Sequence, residues 1–280
     1  NSMSLTNVAY NPVQTWANPL LERLEQHALI PIFGEEPVEL GMAGREDVLF
    51  ERLEDDARYP EWFAQSFPDD PQPISIANIV KALGAFQRIL ISARSPYDRY
   101  VYGGDPDAMS ASALRGLDLF FSEQLECFHC HGGFNFTANV EHDATAFREF
   151  SFQNTGLYNV DGLGSYPAEN TGLYEITLRP SDMGKFRAPT LRNIMVTAPY
   201  MHDGSIETID DVLDHYARGG RLITSGPNAG DGAQSPLKSG FVAGFTLSDQ
   251  EREDLKAFLE SLTDEAFLND PSLSDPFAAD

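Results

Sequence analysis

The chain has 280 residues, and 19 basic against 43 acidic side chains give it a formal net charge of −24 at pH 7. This charge argues against nucleic acid as a partner, because phosphate binding requires a basic surface. The chain contains no apolar run of the roughly 18 residues that a membrane span requires, so we expect no membrane span.

Helical patterns recur along the chain, whereas signals for strands are few. In the segment 75–93, Ile79, Leu83 and Phe86 follow helical spacing and predict one buried helix face. The predicted helices, in chain order, cover 20–29 with Pro31 after its end, 45–57, 75–93, a segment starting at Ser110, 208–220, and a segment starting at Ser248. Residues 132–189 are rich in Gly, Asn and Pro, and so long a loop usually wraps a ligand or lines a site. The pattern predicts a mostly α fold.

Both cysteines lie in the short motif "CFHCH", which runs from Cys127 through Cys130 to His131. C-x-x-C-H is the attachment site of a c-type haem, whose vinyl groups take the two thiols while the histidine binds iron. A thioredoxin-like redox pair and half of a zinc site are the alternatives. A zinc site would need a second ligand pair, and a redox pair would need a βαβ pattern around it. The motif therefore predicts one haem c and a periplasmic location, where such haems are attached, with His129 as a spacer.

Two segments resemble the dihaem cytochrome c peroxidase and MauG superfamily. They are "DMGKFRAPTLRNIMVTAPYMHDGSIETIDDVLDHYARGG" (182–220) and the opening "NSMSLTNVAYN" with Trp16 and "PVELGM" after it. The resemblance implies two cytochrome-c-like helical domains with long haem-wrapping loops, over residues 1–104 and 105–280. Each domain would hold one haem. Since only one haem motif is present, the second haem is expected on a motif upstream of Asn1.

The same resemblance suggests the second ligand of the haem iron bound by His131. In typical dihaem peroxidases a methionine lies 14 residues after the histidine of "HDG", and counting from His202 leads to Tyr216. MauG-like enzymes carry a tyrosine there, and a phenolate favours high-valent iron. A tyrosine on an apolar helix stripe more often serves core packing. His215 and Met201 are rival ligands.

Residues around the expected upstream haem also match the superfamily. Trp16 corresponds to a tryptophan between the haems that relays charge, although core packing would also explain it. Glu39 corresponds to the distal acid that helps to split peroxide, and a surface role is its alternative. The position that usually holds glutamine falls on His27, or on Gln26 if the register shifts. The superfamily further binds calcium between its haems, which here implies Asn1, Thr197 and Pro199 as oxygen ligands.

The resemblance suggests that Arg187 and His202 contact the haem edge or its propionates. The alternative is that both residues have only a structural role. The segment "WANP" stands where the superfamily usually has "WDGR". It resembles the MbnH group, MauG relatives associated with methanobactin operons that oxidise a tryptophan on a partner protein to kynurenine.

The sequence thus predicts a MauG-type dihaem enzyme that uses hydrogen peroxide to form a high-valent, bis-Fe(IV) state. Its substrate would be a tryptophan on an MbnP-like partner protein. One alternative is a dihaem cytochrome c peroxidase that reduces peroxide with electrons from a small redox protein. The other is an electron-transfer cytochrome whose first domain only binds a partner.

Overall fold

The computed structural model describes residues 1–146 and 150–277, and helices dominate them. The helices are α1 (Leu24–Phe33), α2 (Glu46–Glu54), α3 (Arg58–Ser66), α4 (Ile76–Arg88), α5 (Pro96–Val101), α6 (Ala111–Phe120), α7 (Phe128–His131), α8 (Tyr174–Thr177), α9 (Ile209–Arg218), α10 (Asp249–Glu260) and α11 (Glu265–Leu268). The strands form two antiparallel pairs, β1 (Phe152–Gln153) with β2 (Phe186–Arg187) and β3 (Leu222–Ile223) with β4 (Gly230–Asp231). The predicted mostly α class is confirmed. Within the described ranges, no helix is long and apolar enough to cross a membrane.

Side-chain caps fix the starts of the helices that flank the haem motif. Ser110, Thr208 and Ser248 each accept a hydrogen bond from a backbone N–H in the first turn of α6, α9 and α10. Glu251 completes the predicted capping box by accepting from the backbone N–H of Ser248 at 2.8 Å. α9 ends at Arg218, directly before the predicted stop at Gly219. The predicted helix starts at Ser110, Thr208 and Ser248 are therefore confirmed.

The first helix does not end where the sequence suggested. Instead of stopping before Pro31, α1 runs from Leu24 to Phe33 and contains the proline in its last turn. A proline there removes only one backbone donor, and the Gly34 N–H still bonds to the Ile30 carbonyl at 2.7 Å. The Pro31 carbonyl then accepts from the Leu40 N–H at 2.9 Å, which folds the following loop back onto the helix.

The apolar stripe of α4 is only partly buried, contrary to the prediction of one buried face. Ile79 is buried, whereas Leu83 and Phe86 are 41% and 47% exposed. α4 packs against α1 through another side, where Val80 is buried and Gly84 leaves room for the Glu25–Arg88 ion pair. The helix thus has two apolar sides. The side with Val80 is buried, whereas the side with Leu83 and Phe86 is exposed among the described residues.

The main hydrophobic core surrounds the packed helices α6 and α10. Gly116 allows this close approach, because a Cβ atom there would collide with the Asp254 carbonyl oxygen. The largest fully buried side chains of this core are Phe136, Phe258, Leu157, Leu255 and Leu262. Phe136 belongs to the loop that directly follows the haem motif, so this core positions the motif.

A second, smaller cluster lies in the first third of the chain. It joins α1 and α4 through Ala28, Ile32 and Val80, with Met42 from the loop after α1. The main core already includes Tyr97 and Tyr100 of α5, which precede the boundary expected between residues 104 and 105. The division into two domains stays a prediction.

Candidate functional site

The two cysteines lie at the start of α7 as free thiols. Both are partly buried, and the Cys127 thiol donates a weak hydrogen bond to the Leu125 carbonyl at 3.6 Å. Burial, reinforced by the neighbouring Cys130, raises the pKa of the Cys127 thiol to about 12. The His131 backbone N–H bonds to the Cys127 carbonyl at 3.0 Å, so one helical turn presents both sulphur atoms and the imidazole together.

His131 is held in the tautomer that an iron ligand requires. Its Nδ1 lies 3.0 Å from the Phe136 carbonyl oxygen, which can only accept, so Nδ1 must carry the proton. The lone pair of Nε2 is then free for a metal. Burial lowers the pKa of His131, which keeps the ring neutral. This arrangement fits a haem iron bound at Nε2.

Tyr216 of α9 lies next to the segment that leads into the haem motif. Burial raises the pKa of its phenol, and Cys130 and Cys127 add to the shift, in that order. A cavity of about 120 Å³ opens next to it, lined by Tyr216, residues 123–126 and residues 241–245.

The rival ligands are placed differently. His215 is only 5% exposed and packs edge-on against the Tyr216 ring, with ring centroids 4.9 Å apart. Consecutive residues of a helix point about 100° apart, so His215 and Tyr216 cannot both face the thiols. Met201 packs against the main core in a left-handed backbone conformation, with φ 66°. His129 pairs with Glu126 at 2.7 Å and stacks on Phe241 at 4.2 Å. These contacts suit a spacer.

Trp16, Asn1 and Pro199 come together although they are far apart in sequence. The Trp16 indole N–H donates to the Asn1 carbonyl at 2.9 Å, and the Asn1 amide reaches the Pro199 carbonyl at 2.6 Å. Thr197 lies at the surface two residues earlier, with its hydroxyl bonded to the Ile194 carbonyl at 3.1 Å. The side-chain amide of Asn1 and the carbonyl of Pro199 converge, and rotation of that amide would present a second oxygen to a cation.

His27 and Glu39 lie on α1 and on the loop that folds back onto it. Burial lowers the pKa of His27, while the nearby Glu39 carboxylate raises it and the Arg187 guanidinium lowers it. His27 therefore lies within electrostatic reach of both groups. Glu39 is exposed at the surface of the described chain.

Two buried polar atoms near Trp16 have no hydrogen-bond partner among the described residues. They are Nη1 of Arg187 and Nε2 of His202. Arg187 is 3% exposed, and burial lowers its pKa to about 10, still high enough to keep the guanidinium charged at neutral pH. The Arg187 backbone N–H bonds to the Trp16 carbonyl at 2.7 Å. A buried cation with a free donor calls for an anion, and haem propionates fit that need.

Sequence reasoning missed a tyrosine–carboxylate pair close to this site. The Tyr158 hydroxyl donates to the Asp203 carboxylate at 2.6 Å, and the Tyr158 ring packs against Tyr166 with centroids 5.4 Å apart. The "HDG" motif identifies His202 and Asp203, but Tyr158 lies 45 residues before Asp203, in the loop region. Only the fold brings Tyr158 and Asp203 together.

Residues 1–106 match the family model described as di-haem cytochrome c peroxidase. The chain is 31% identical over 256 residues to the methylamine utilization protein MauG of Methylorubrum extorquens; the match covers 91% of this chain and 62% of that protein. It is 32% identical to cytochrome-c peroxidase IdrP1 of a Pseudomonas species, with 98% of this chain and 70% of that protein covered. The chain thus spans less than two thirds of the MauG relative's length.

Solved structures with a similar fold include a MauG-like protein and a dihaem peroxidase. A MauG-like protein associated with microbial copper homeostasis is 47% identical, with a TM-score of 0.96 over 99% of this chain and 79% of that one. The dihaem peroxidase BthA from Burkholderia thailandensis is 18% identical, with a TM-score of 0.64 over 90% of this chain and 66% of that one. The second likeness concerns the fold alone.

Proposed function

The chain belongs to the dihaem cytochrome c peroxidase and MauG superfamily, and from this premise we propose that it acts as a MauG-type haem oxidoreductase. In this proposal hydrogen peroxide is the oxidant, and a tryptophan on a partner protein is the group oxidised. Membership of a dihaem cytochrome c family implies haem c as the cofactor.

The observation that carries the proposal is the cavity that Tyr216 lines together with residues 123–126, which lead directly into Cys127. The thiols would form the two thioether bonds, and Nε2 of His131 and the phenolate of Tyr216 would be the protein ligands of the iron. Because burial raises the pKa of the phenol, Tyr216 would lose its proton only beside a cation such as iron. When bound, haem supplies the iron that takes up the oxidising equivalents of peroxide.

The residues around Trp16 support a role between two haems. Arg187 and His202 offer free buried donors for propionates, and the Trp16 ring lies 6.4 Å from the His202 ring between centroids. Asn1, Thr197 and Pro199 would hold a calcium ion beside this cluster. An oxidisable indole at this place would share charge between the two haems of a dihaem protein.

At the second haem, His27 and Glu39 are the proposed groups that act on peroxide. A carboxylate near bound peroxide can receive a proton from one oxygen atom and return it to the other. The electrostatic coupling of His27 to Glu39 supports a shared site.

The partner we propose is a periplasmic, MbnP-like protein whose tryptophan becomes kynurenine. Support comes from the 47% identity to the MauG-like protein associated with copper homeostasis. The net charge of −24 favours a partner with a basic contact surface. A peroxidase that takes electrons from a small redox protein is the second candidate, favoured by the 32% identity to cytochrome-c peroxidase IdrP1.

The test is Mössbauer and EPR spectroscopy of the haem-loaded protein before and after one equivalent of peroxide, for the natural chain and Tyr216→Met. We expect a long-lived state with both haems oxidised, lost in Tyr216→Met. Tyr100→Met is the matched control, because Tyr100 packs against the same core from α5. If Tyr216→Met leaves the oxidised state unchanged, Tyr216 is core packing and the peroxidase becomes the better proposal.

A further inference from the structure

Aromatic rings form a continuous series from Trp16 to Tyr158. Ring centroids are 6.4 Å apart for Trp16 and His202, and 3.5 Å apart for His202 and Phe186, which stack. Phe186 lies 6.2 Å from Tyr166, and Tyr166 lies 5.4 Å from Tyr158. These separations are those of rings in contact. The described chain therefore connects its proposed relay tryptophan to two buried tyrosines.

Tyr166 lies between Phe186 and Tyr158 in this series. Its ring packs directly on the backbone at Gly184, where a Cβ atom would collide with it. This contact fixes the position of Tyr166 against both neighbouring rings.

The two buried tyrosines differ in what accepts their proton. The Tyr166 hydroxyl donates to the Asn154 side-chain oxygen at 3.0 Å, and an amide oxygen is too weak a base to take the proton. The Tyr158 hydroxyl donates to the Asp203 carboxylate at 2.6 Å. Despite burial, the bonds from Tyr158 and Ser205 hold the pKa of Asp203 below its usual range, so the carboxylate is ionised at neutral pH. Only Tyr158 has a base in contact.

This difference matters because a tyrosine can be oxidised at moderate cost only if its proton leaves with the electron. We propose that Tyr158, with Asp203 as its proton acceptor, is a second oxidisable site of the protein, which loses an electron to the haem of Cys127 and Cys130 when no partner protein is bound. The inference rests on the proposed function, since the peroxide-oxidised haem is the oxidant.

In the proposed step, Tyr158 loses one electron and one proton to different acceptors. One electron passes from Tyr158 through Tyr166 to the oxidised haem, which is thereby reduced by one equivalent. The O–H bond of Tyr158 breaks, and its proton moves to Oδ2 of Asp203. A neutral phenoxyl radical remains on Tyr158, and Asp203 becomes a neutral carboxylic acid. Asp203 is half-buried, so it can later return the proton or exchange it with solvent.

The test is freeze-quench EPR of the haem-loaded protein after one equivalent of peroxide, without partner protein. We expect a radical signal that narrows when the protein carries ring-deuterated tyrosine, which distinguishes tyrosine from Trp16. Tyr158→Phe should lower the yield of this signal at least tenfold. Asp203→Asn keeps a hydrogen-bond acceptor but no base, and should lower the yield several-fold.

Tyr200→Phe is the matched control, because Tyr200 is buried and no carboxylate contact of its hydroxyl is seen in the part of the chain described. It should leave the yield unchanged. A nitroso spin trap followed by peptide mass spectrometry locates the radical without any substitution, and we expect the adduct on Tyr158.

The outcomes separate the two proposals. If the haems are oxidised by peroxide but the tyrosine signal is absent, or persists in Tyr158→Phe, the inference on Tyr158 is wrong and the proposed function stands. If peroxide does not oxidise the haems, the proposed function falls and the inference falls with it.

Discussion

The indole N–H of Trp16 donates a hydrogen bond to the carbonyl oxygen of Asn1, 15 residues earlier, at 2.9 Å. Asn1 is itself tied to the "HDG" region, through its side-chain amide to the Pro199 carbonyl at 2.6 Å and through its backbone nitrogen to the His202 carbonyl at 2.8 Å. The position of the Trp16 ring therefore depends on the residue that we propose as a calcium ligand. An ion at Asn1 and a relay at Trp16 would not be independent.

Removal of calcium from the proposed site at Asn1 should shorten the lifetime of the peroxide-oxidised state. We expect chelation to lower the lifetime of the peroxide-oxidised state several-fold, with recovery on adding Ca²⁺ but not Mg²⁺, because Mg²⁺ demands a tighter octahedral site. Asn1→Ala should weaken calcium binding at least tenfold, or about 1.4 kcal/mol, as measured by calorimetry. The control is Ser2→Ala, an exposed neighbour. Equal calcium affinity in Asn1→Ala would remove Asn1 from the ligand set.

The features that the sequence predicted well depend on neighbouring residues. Caps such as Ser110 and Thr208 act within one helical turn, so their chemistry is visible in a few letters. The C-x-x-C-H motif is equally local, since Cys127 to His131 form a single turn, and the attachment of haem to it stays a prediction. A short pattern suffices where the interaction itself is short-ranged.

The features that the sequence could not predict depend on tertiary contacts between a helix or loop and the segments that pack against it. Leu83 and Phe86 follow the spacing of a buried stripe, yet they are exposed because α1 packs on another side of α4. The Tyr158–Asp203 pair joins two loops 45 residues apart, and no local pattern encodes that meeting. Tertiary contacts of this kind decide burial and pairing.

The buried ion pair between Arg192 and Asp98 should be essential for stability. Their side chains are 1% and 5% exposed, and Arg192 binds both carboxylate oxygens at 2.8 Å. Arg192 also donates to the Phe134 carbonyl in the loop after the haem motif at 3.0 Å. Arg192→Ala leaves a buried carboxylate unpaired, so we expect a loss of about 3–5 kcal/mol in the free energy of unfolding by urea titration.

The control for this prediction is the bidentate but more exposed ion pair of Arg88 and Glu25. Its bonds measure 2.6 and 3.0 Å, and the side chains are 46% and 26% exposed. Arg88→Ala should cost no more than about 1 kcal/mol, because water screens and replaces such a pair. Equal losses in the two variants would show that burial of Arg192 is not what makes its pair important.

Acid should weaken the contact between α6 and α10 through Asp254. Hydrogen bonds from Arg115, and then from Ser112, hold the pKa of Asp254 well below its usual range. A lowered folded-state pKa stabilises the fold above the unfolded pKa of about 3.9, and this contribution is lost as pH falls further. Asp254→Asn should therefore be less stable than the natural chain at pH 7, with the difference shrinking below about pH 4.

The measurement is the urea midpoint of both proteins between pH 7 and pH 2. Asp118→Asn is the control, because Asp118 is exposed on α6. Its midpoint should follow the natural chain at every pH. A constant difference between Asp254→Asn and the natural chain over the whole range would contradict a role of the ionised carboxylate.

Glu39 should control the reaction with peroxide rather than the stability of the fold. It is exposed in the described chain, so its removal leaves no buried group unpaired. In the proposed site the carboxylate moves a proton between the two oxygen atoms of peroxide, which typically contributes 10²–10⁴-fold to a rate. We expect Glu39→Gln to lower the second-order rate constant of the haem-loaded protein with peroxide at least about a hundredfold, as measured by stopped-flow absorption.

Glu35 and Glu36 provide matched controls, because they are exposed acids of the same loop. Glu35→Gln and Glu36→Gln should retain the natural rate if the position of Glu39, and not the charge of the loop, matters. His27→Ala should slow the reaction too, because burial keeps the imidazole neutral and a neutral imidazole can accept a proton from peroxide. If all three glutamate variants slow the reaction alike, the loop acts only through its charge and Glu39 has no special role.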